Sequence, residues 1–174
     1  PYDRLIIATG GRVRRLDLPN VAPDKISYLR SIEDSVKLQK MLVPGCKLLV
    51  IGGGWIGLEA AATARQLDVE VALVETADRL CARAASPQLS AYLLGLHGQH
   101  EVDVRLRTGF VSAEQTSEGI DVVLTNGERL AVDHILIGVG LVPNSELAEA
   151  AGLKTDNGIV TSPEGETDDP DIFA

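Results

Sequence analysis

The sequence has 174 residues, of which 45% are hydrophobic and 3% aromatic, and its 25 acidic and 16 basic side chains give a net charge of −9 at pH 7. This length suits one domain or slightly more, and the acidic balance argues against nucleic acid and anionic membranes as partners, because both attract clustered Lys and Arg. No apolar stretch reaches the roughly 18 residues of a membrane-spanning helix and no signal peptide is visible, so a cytoplasmic protein is expected.

The first 45 residues predict one strand, an irregular connection and one helix. The apolar run Arg4–Thr9 predicts a buried strand, and residues 10–27, which contain several Gly and Pro, predict the connection. Ser31 lies three residues before Asp34, a spacing typical of a helix N-terminus, and the apolar positions that follow extend a helix over residues 32–42. A Pro-Gly pair ends it.

The next segment, residues 47–75, has the pattern of a compact βαβ unit. Strands are predicted at the apolar runs Lys47–Ile51 and Val69–Glu75, and the Ala-rich, Pro-free residues Ile56–Leu67 predict the helix between them. The small alanine side chains would let this helix lie close to the sheet.

Beyond residue 75 the sequence predicts further helices and parallel strands, together with one group of antiparallel strands. Ser86 and Pro87 predict the start of a helix that reaches about Gly98, and Thr125–Gly127 predicts a hairpin turn. The remaining elements are predicted as a parallel strand at Val102–Leu106, three antiparallel strands at Phe110–Glu114, Ile120–Thr125 and Arg129–Val132, a parallel strand at His134–Gly138, a short helix at Ser145–Ala151 and a brief strand at Gly158–Val160. The predicted fold class is α/β, a Rossmann-like parallel sheet with helices on both faces and a small antiparallel three-stranded meander in place of one crossover.

A glycine pattern lies between the first strand of the βαβ unit and its helix. Residues 52–57 fit G-x-G-x-x-G, with Gly52, Gly54 and Gly57 in register. Gly52 would allow a sharp turn out of the strand, Gly54 would leave room for a pyrophosphate, and Gly57 would let the helix lie against the sheet. The helix N-terminus would then offer N–H groups and the positive end of its dipole to the phosphates.

An acidic residue ends the second strand. Glu75 lies 18 residues after Gly57, close to the roughly 20-residue spacing of the carboxylate that binds the adenosine ribose in dinucleotide folds. A carboxylate there would repel a 2′-phosphate, which favours NAD(H) over NADP(H). Arg79 and Arg83 lie nearby and leave two possibilities open, exposure to solvent or a contact with the pyrophosphate or adenine. The alternative to a nucleotide site is a structural turn with a surface glutamate.

Several motifs occur in an order that resembles a known family. They are Tyr2–Gly10, Tyr28–Arg30, Gly52–Glu59, Gly138–Asn144, Ala151–Leu153 and Asn157–Val160. Together they resemble the two-dinucleotide flavoproteins, and most closely the FAD-dependent, NADH-using ferredoxin reductases of bacterial oxygenase systems, of the putidaredoxin reductase and Rieske dioxygenase types. The resemblance covers essentially the whole chain.

This resemblance implies a function for the whole protein. It would pass a hydride from NADH to FAD and then electrons to a ferredoxin, an iron–sulfur protein that serves an aromatic-ring dioxygenase or a cytochrome P450. The cofactors implied are NAD(H) for this chain and FAD for the full-length protein. Two alternatives stay open: another flavoenzyme of the same superfamily, such as an NADH oxidase or a coenzyme A-disulfide reductase, and a non-catalytic NADH-sensing module.

The resemblance also implies a domain organisation. Residues 1–27 would be a remnant of an FAD domain, residues 28–152 an NAD(H)-binding domain, and residues 153–174 a return segment toward the FAD domain. Both ends of the chain are apolar, as expected for a fragment, and the FAD fingerprint and a C-terminal interface domain would lie outside it. We expect the fragment alone to bind NADH, to hold no FAD and to be inactive.

The resemblance implies cofactor contacts but no catalytic side chain and no metal ligand. Trp55 would gate the nicotinamide pocket, Glu59 would lie near the nicotinamide, and Arg83 would contact the adenosine half. Ordinary packing is the alternative for Trp55, and a solvated position is the alternative for Glu59. The residues expected to bind NAD(H) are Gly52, Gly53, Gly54, Trp55, Ile56, Gly57, Glu59, Glu75, Arg83, Gly138, Val139 and Gly140. Those matching flavin-facing positions are Thr9, Gly10 and Arg30.

The histidines and cysteines predict neither a metal site nor a redox pair. His97 and His100 lie three residues apart near a helix end, without an acid or Cys at ligand spacing, and a histidine at a helix C-terminus is favourable without metal. His134 is expected to be solvated. Cys46 and Cys81 are expected to be ordinary thiols, and the absence of C-x-x-C argues against the thioredoxin reductase subclass.

Overall fold

The structure, a computed structural model, describes residues 2–174 and divides them into two compact units. The central unit comprises Arg15–Val139, and the outer unit comprises the described residues up to Arg14 together with Gly140–Ala174. The strands are β1 (Leu5–Ile6), β2 (Gly11–Val13), β3 (Ile26–Ser27), β4 (Lys47–Ile51), β5 (Glu70–Val74), β6 (Val102–Arg105), β7 (Phe110–Gln115), β8 (Ile120–Leu124), β9 (Arg129–Val132), β10 (His134–Ile137), β11 (Leu141–Pro143) and β12 (Ile172–Phe173). The helices are α1 (Ile32–Met41), α2 (Trp55–Gln66), α3 (Pro87–Gln99) and α4 (Glu146–Ala150). None of the helices in residues 2–174 has the length and apolar character of a membrane span.

The central unit is built on a sheet of five parallel strands in the order β3-β10-β4-β5-β6. Four of these strands lie where the sequence predicts them. The fifth, β3, lies inside the predicted irregular connection, and its two residues are too few to show a strand pattern. The strand order reverses at β4, which has β5 on one side and β10 on the other. Open α/β sheets bind ligands at the carboxyl ends of their strands at such a reversal.

The two faces of this sheet are covered by different layers. Leu48 and Val50 of β4 lie in a core formed with α1, α2 and α3, whereas Leu49 and Ile51 lie in a core formed with the antiparallel sheet β7-β8-β9. The predicted α/β class and meander are confirmed. The expectation of helices on both faces is wrong, because none of α1, α2 and α3 contributes to the second core.

The direction of the crossovers explains this layering. The connections through α1, α2 and α3 all advance along the sheet in the same direction, from β3 toward β6. Because crossovers between parallel strands are right-handed, connections that advance in one direction lie on the same face. The return from β6 to β10 runs the other way and therefore crosses the opposite face, where the chain forms the meander.

Two helix starts follow the local signals in the sequence. Ser31 and Asp34 form a capping box at α1: the Asp34 N–H donates to the Ser31 hydroxyl (3.3 Å), and the Ser31 N–H donates to the Asp34 carboxylate (3.0 Å). At α3 the Ser86 hydroxyl accepts from the Leu89 N–H (3.2 Å), and Pro87 is the first helical residue. Both predictions are confirmed.

The outer unit contains two short strand pairs and a small apolar core. β1 pairs with β12 in parallel, and β2 pairs with β11 in antiparallel orientation. The core residues are Ile7, Ala148, Leu153 and Ile172. The buried strand predicted at residues 4–9 shortens to β1, where Ile6 is 73% exposed. The strand predicted at Gly158–Val160 is wrong, because the chain forms a single bridge there, between Thr155 and Ile159.

Candidate functional site

The glycine turn, which we define as residues 52–57, lies at the edge of the central sheet where the carboxyl ends of β4, β5 and β10 meet. It begins directly after β4, which ends at Ile51, and its last three residues are the first residues of α2, whose N-cap is Gly54. This is the edge at which the strand order reverses. The turn therefore occupies the place in the fold where a ligand is expected.

Two glycines of the turn are required by close packing within the central unit. Gly52 has φ +110°, and a Cβ at this position would collide with the carbonyl oxygen of Gly138. A Cβ at Gly57 would collide with the carbonyl oxygen of Gly52, where α2 approaches the end of β4. These contacts account for Gly52 and Gly57 without a ligand.

Gly54 lacks such a structural reason. Its backbone is extended (φ −82°, ψ 179°), and apart from its chain neighbours no described atom lies within 4 Å of where its Cβ would be. The N–H of Leu58 donates to the Gly54 carbonyl (3.0 Å), so the N–H groups before Leu58 have no acceptor within the helix. An open position beside these N–H groups and the positive end of the helix dipole suits a phosphate.

Glu75 lies beside this turn, and the backbone holds its carboxylate. One oxygen accepts from the Gly53 N–H (2.7 Å), and the other accepts from the Ala77 N–H (2.8 Å) and the Thr76 hydroxyl (3.2 Å). A carboxylate offers about four acceptor positions, so these three donors leave capacity for a further one. The half-buried side chain thus has the place and the chemistry to accept from a ribose hydroxyl.

The two arginines that follow β5 have different environments. The Arg79 guanidinium donates to the carbonyl oxygens of Ala82 (2.5 Å) and Ala85 (2.7 Å) and to the Ser90 hydroxyl (3.0 Å). It follows neither possibility left open by the sequence, since it binds its own loop. Arg83 is exposed, so a ligand in solution can reach it.

The other candidates of the central unit lie along the same edge. Trp55 and Ile56, the first two residues of α2, are each 45% exposed, and Glu59 is exposed one turn later. Gly138 follows β10 and donates its N–H to the last carbonyl of β4 (2.8 Å), and Val139 packs against the core on the meander side. The structure brings these residues to one edge; their contacts with a cofactor stay predictions.

Three candidates belong to the outer unit, which has its own hydrogen-bond cluster around Asn144. The Thr9 hydroxyl donates to the Asn144 carbonyl (2.5 Å), and the Asn144 side-chain amide donates to the Thr9 carbonyl (2.9 Å). Gly10 has φ +64° and accepts from the Asn144 N–H (2.9 Å), and Gly140 accepts from the Arg14 N–H (3.0 Å). Sequence reasoning missed the role of Asn144, although an asparagine in a loop can donate and accept at once.

Arg30, the third residue matched to a flavin-facing position, lies in the central unit after the carboxyl end of β3. Its side chain is exposed, and its backbone N–H donates to the Asp34 carboxylate (3.0 Å). Thr9 and Gly10 lie in the other unit. The structure tests none of the three as flavin contacts, and they stay predictions.

His97, Cys46 and Cys81 have structural surroundings. Within residues 2–174, no group of three or more His, Cys, Asp or Glu side chains is placed to hold a metal ion. His97 is buried, and its ring nitrogens lie 3.0 Å from the Leu93 carbonyl oxygen and 3.1 Å from the Leu58 carbonyl oxygen. Burial raises the pKa of the Cys46 and Cys81 thiols, in agreement with ordinary thiols.

His134 differs from its expected solvated position. It is half-buried, and its Nδ1 atom is buried without a hydrogen-bond partner among residues 2–174. Burial, and to a lesser degree the charge of Lys25, lowers the pKa of His134 against the opposing effects of Asp133 and Asp24. The sequence missed this environment because the pairing of β3 with β10, which brings Asp24 and Lys25 close, was not predicted.

One family model matches the chain along its whole length. This model, described as pyridine nucleotide-disulphide oxidoreductase, matches residues 1–174. The chain belongs to this family. The resemblance drawn from the sequence motifs is thereby confirmed.

Individual members of the pyridine nucleotide-disulphide oxidoreductase family are similar over nearly all of the chain. Putidaredoxin reductase CamA from Pseudomonas putida is 43% identical over 179 residues, which cover 99% of the chain and 42% of that protein. The 3-phenylpropionate/cinnamic acid dioxygenase ferredoxin–NAD(+) reductase component from Photorhabdus laumondii is 38% identical over 99% of the chain and 44% of its own length. The covalent putidaredoxin reductase–putidaredoxin complex matches with a TM-score of 0.87 and 41% identity, over 99% of this chain and 43% of the other. The chain therefore spans less than half of the length of these relatives.

Proposed function

We propose that the central unit binds NAD(H) along the carboxyl edge of its sheet, within a whole protein that acts as a ferredoxin reductase. In this proposal the pyrophosphate lies beside Gly54 at the N-terminus of α2, and the adenosine ribose lies at Glu75. The nicotinamide half extends toward Gly138 and Val139, which follow β10 on the other side of the turn. In this proposal the nicotinamide, the pyrophosphate and the adenosine ribose follow the order of the strands β10-β4-β5 along the edge.

The proposal rests on a difference in the space around the glycines of the glycine turn. Contacts within the chain require Gly52 and Gly57, but they leave the Cβ position of Gly54 open. A close approach of a ligand to the backbone explains a glycine that packing does not require. The helix N-terminus beside it favours an anionic ligand.

Glu75 supports NADH rather than NADPH as the ligand. A carboxylate accepts hydrogen bonds from ribose hydroxyls and repels a 2′-phosphate. Arg79 does not offset this charge for a ligand, because its guanidinium already binds Ala82, Ala85 and Ser90. Arg83 stays available for the adenosine half of NADH.

The whole protein would couple this site to a flavin and to an iron–sulfur partner. Bound NADH and FAD would supply hydride transfer and then the release of single electrons to a ferredoxin of an aromatic-ring dioxygenase or cytochrome P450 system. This chain would bind and orient NADH, and Thr9, Gly10 and Arg30 would face the flavin. The names of the two curated relatives support this class of partner. The domain boundaries expected after residues 27 and 152 belong to the same proposal.

The two alternatives, another flavoenzyme or a sensing module, differ from this function in the acceptor that receives the electrons of NADH. An NADH oxidase consumes O2 without a ferredoxin, a coenzyme A-disulfide reductase reduces a disulfide, and a sensing module binds NADH without transferring electrons. Steady-state reduction of a ferredoxin by NADH and the whole protein supports the reductase, and NADH binding without electron transfer contradicts it.

The binding site itself is tested with Glu75→Ala, by titrating the 174-residue chain with NADH and with NADPH and following nicotinamide fluorescence. We expect wild type to prefer NADH. The variant should lose about tenfold in NADH affinity, because hydrogen bonds to a charged acceptor are lost, and should lose less for NADPH, because a repulsive charge disappears as well.

The matched control is Glu70→Ala, at the amino end of the same strand, where the side chain is exposed. It should leave both affinities unchanged. Equal losses for NADH and NADPH in Glu75→Ala would contradict the ribose contact. A wild-type chain that binds neither nucleotide would contradict the proposed function.

A further inference from the structure

In the loop of residues 76–86, between β5 and α3, one arginine side chain hydrogen-bonds to several other residues. The guanidinium of Arg79 donates to the carbonyl oxygens of Ala82 (2.5 Å) and Ala85 (2.7 Å) and to the hydroxyl of Ser90 (3.0 Å). The Ser90 hydroxyl in turn donates to the carbonyl of Leu80 (2.6 Å). Because a guanidinium is planar and always charged, it can fix several oxygen atoms at once.

This network connects the 76–86 loop to the first turn of α3. Ser90 is 2% exposed, so its hydroxyl is a buried group that accepts from Arg79 and donates to Leu80. Without Arg79, the carbonyls of Ala82 and Ala85 would lose a charged donor. The loop would then keep its backbone hydrogen bonds from the Ala84 and Ala85 N–H groups to the Cys81 carbonyl (2.9 Å each), but it would lose the charged hydrogen bonds that restrict its conformation further.

The 76–86 loop also holds the glycine turn. The Cys81 N–H donates to the Gly53 carbonyl (2.9 Å), and the Gly53 N–H donates to the Glu75 carboxylate (2.7 Å). A Leu80 methyl carbon lies only 2.7 Å from where a Cβ of Gly53 would be. Both polar groups of Gly53 are therefore occupied, one by the loop and one by Glu75.

We propose that Arg79 is a positioning residue for the dinucleotide: it fixes the 76–86 loop, which in turn fixes Gly53 and presents Arg83, without itself touching the cofactor. The inference rests on the proposed NAD(H) site. It assigns to Arg79 a role different from that of Arg83, although both arginines lie in the same loop. The conformation of the glycine turn then depends on the 76–86 loop, which precedes α3, as well as on α2.

The test is Arg79→Met, which keeps most of the length of the side chain and removes its donors. The variant loop should occupy its binding-competent conformation only part of the time, and the apparent affinity falls by that fraction. We expect the Kd of the 174-residue chain for NADH to rise about tenfold at a temperature where the variant is fully folded. Thermal unfolding followed by circular dichroism fixes that temperature.

Arg65→Met is the matched control. Arg65 also binds three acceptors, donating to the carbonyls of His100 (3.0 Å) and Val69 (2.6 Å) and to the Glu101 carboxylate (2.6 Å). These contacts lie at the amino ends of β5 and β6, the opposite edge of the sheet. Arg65→Met should lower the unfolding temperature to a similar extent and leave the Kd for NADH unchanged.

The outcomes separate this inference from the proposed function. Weakened NADH binding in Arg79→Met with unchanged binding in Arg65→Met supports the positioning role. Equal NADH affinity in wild type and Arg79→Met overturns the role and leaves the NAD(H) site standing. If wild type itself does not bind NADH, the proposed function fails first.

A second variant covers the case in which Arg79→Met does not fold. Ser90→Ala removes one acceptor of Arg79 and the donor to Leu80 while leaving the guanidinium in place. It should raise the Kd for NADH by about threefold. An unchanged Kd in a folded Ser90→Ala chain overturns the network as the device that positions the loop.

Discussion

Gly54 and Gly57 lie three residues apart in the same turn, and they lack a side chain for different physical reasons. A Cβ at Gly57 meets the backbone of Gly52, whereas a Cβ at Gly54 meets open space. One glycine therefore serves packing, and the other leaves space beside a helix N-terminus. Substitutions at the two positions should accordingly affect different properties.

Replacing Gly54 with Val should abolish NADH binding while the fold survives. The branched side chain would occupy the proposed pyrophosphate position. The backbone at position 54 is extended, a conformation that suits a residue with a Cβ. The loss of unfolding free energy should be about 1 kcal/mol or less, as for an N-cap substitution. Fluorescence titration with NADH and chemical denaturation measure the two quantities.

Gly57→Ala is the comparison for this prediction. Its methyl group would force the carbonyl of Gly52 to move, and the free energy of unfolding should fall by roughly 2–3 kcal/mol. Wild-type NADH affinity in Gly54→Val would show that the pyrophosphate lies elsewhere.

The spacing of motifs in the sequence indicates which residues are candidates for the site, but it does not show the contacts of their side chains. The distance from the glycine turn makes Glu75 a candidate, but the sequence does not show that Gly53 and Ala77 hold its carboxylate. Arg79 and Arg83 have the same side chain in a loop without periodicity, so the sequence leaves their orientation open. The loop carbonyls and Ser90 decide it, and these contacts exist only after the chain has folded.

The meander β7-β8-β9 covers one face of the central sheet in place of a helix. Val122 of β8 is completely buried in the core between meander and sheet. Val122→Ala should lower the free energy of unfolding by about 2 kcal/mol, because apolar contacts are lost and a cavity remains. Chemical denaturation measures this loss, and NADH affinity should not change, since the proposed site lies at the carboxyl ends of the parallel strands.

Val111→Ala provides the comparison within the same antiparallel sheet. Val111 of β7 is 56% exposed, and its truncation should change the free energy of unfolding by no more than about 0.5 kcal/mol. Similar losses for the two valines would mean that the meander does not form a packed layer.

Strands and helices with strong local patterns were predictable, and their arrangement in layers was not. The βαβ unit, the caps of α1 and α3 and the meander each depend on residues close together in sequence. The pairing of β3 with β10 joins residues about a hundred positions apart and leaves no periodic signal in two residues. The face on which each helix lies depends on the strand order, which the hydrophobic pattern does not contain.

The central unit should fold and bind NADH when residues 15–139 are produced alone. All proposed NAD(H) contacts except Gly140 lie within it, and its core is contained in the same segment. We expect an NADH affinity close to that of the 174-residue chain and, as for that chain, no bound FAD; the segment also lacks Thr9 and Gly10, which lie in the outer unit. Calorimetric titration and the absorbance of the purified segment test this, and stoichiometric yellow flavin would contradict it.

The antiparallel pairing of β2 with β11 bears on whether the segment between these strands can be replaced. Leu141 pairs with Val13, and the Arg14 N–H donates to the Gly140 carbonyl (3.0 Å), so the chain leaves and re-enters the outer unit at adjacent points. Within the outer unit, Arg15–Val139 connects β2 to β11 as a very long hairpin loop would. The entropy cost of closing such a loop grows only with the logarithm of its length, by about 0.6 kcal/mol for each doubling. A two-residue Asn-Gly turn could close the same strand pair. We therefore expect that a different domain could replace residues 15–139 at this junction without any change to the strands β2 and β11.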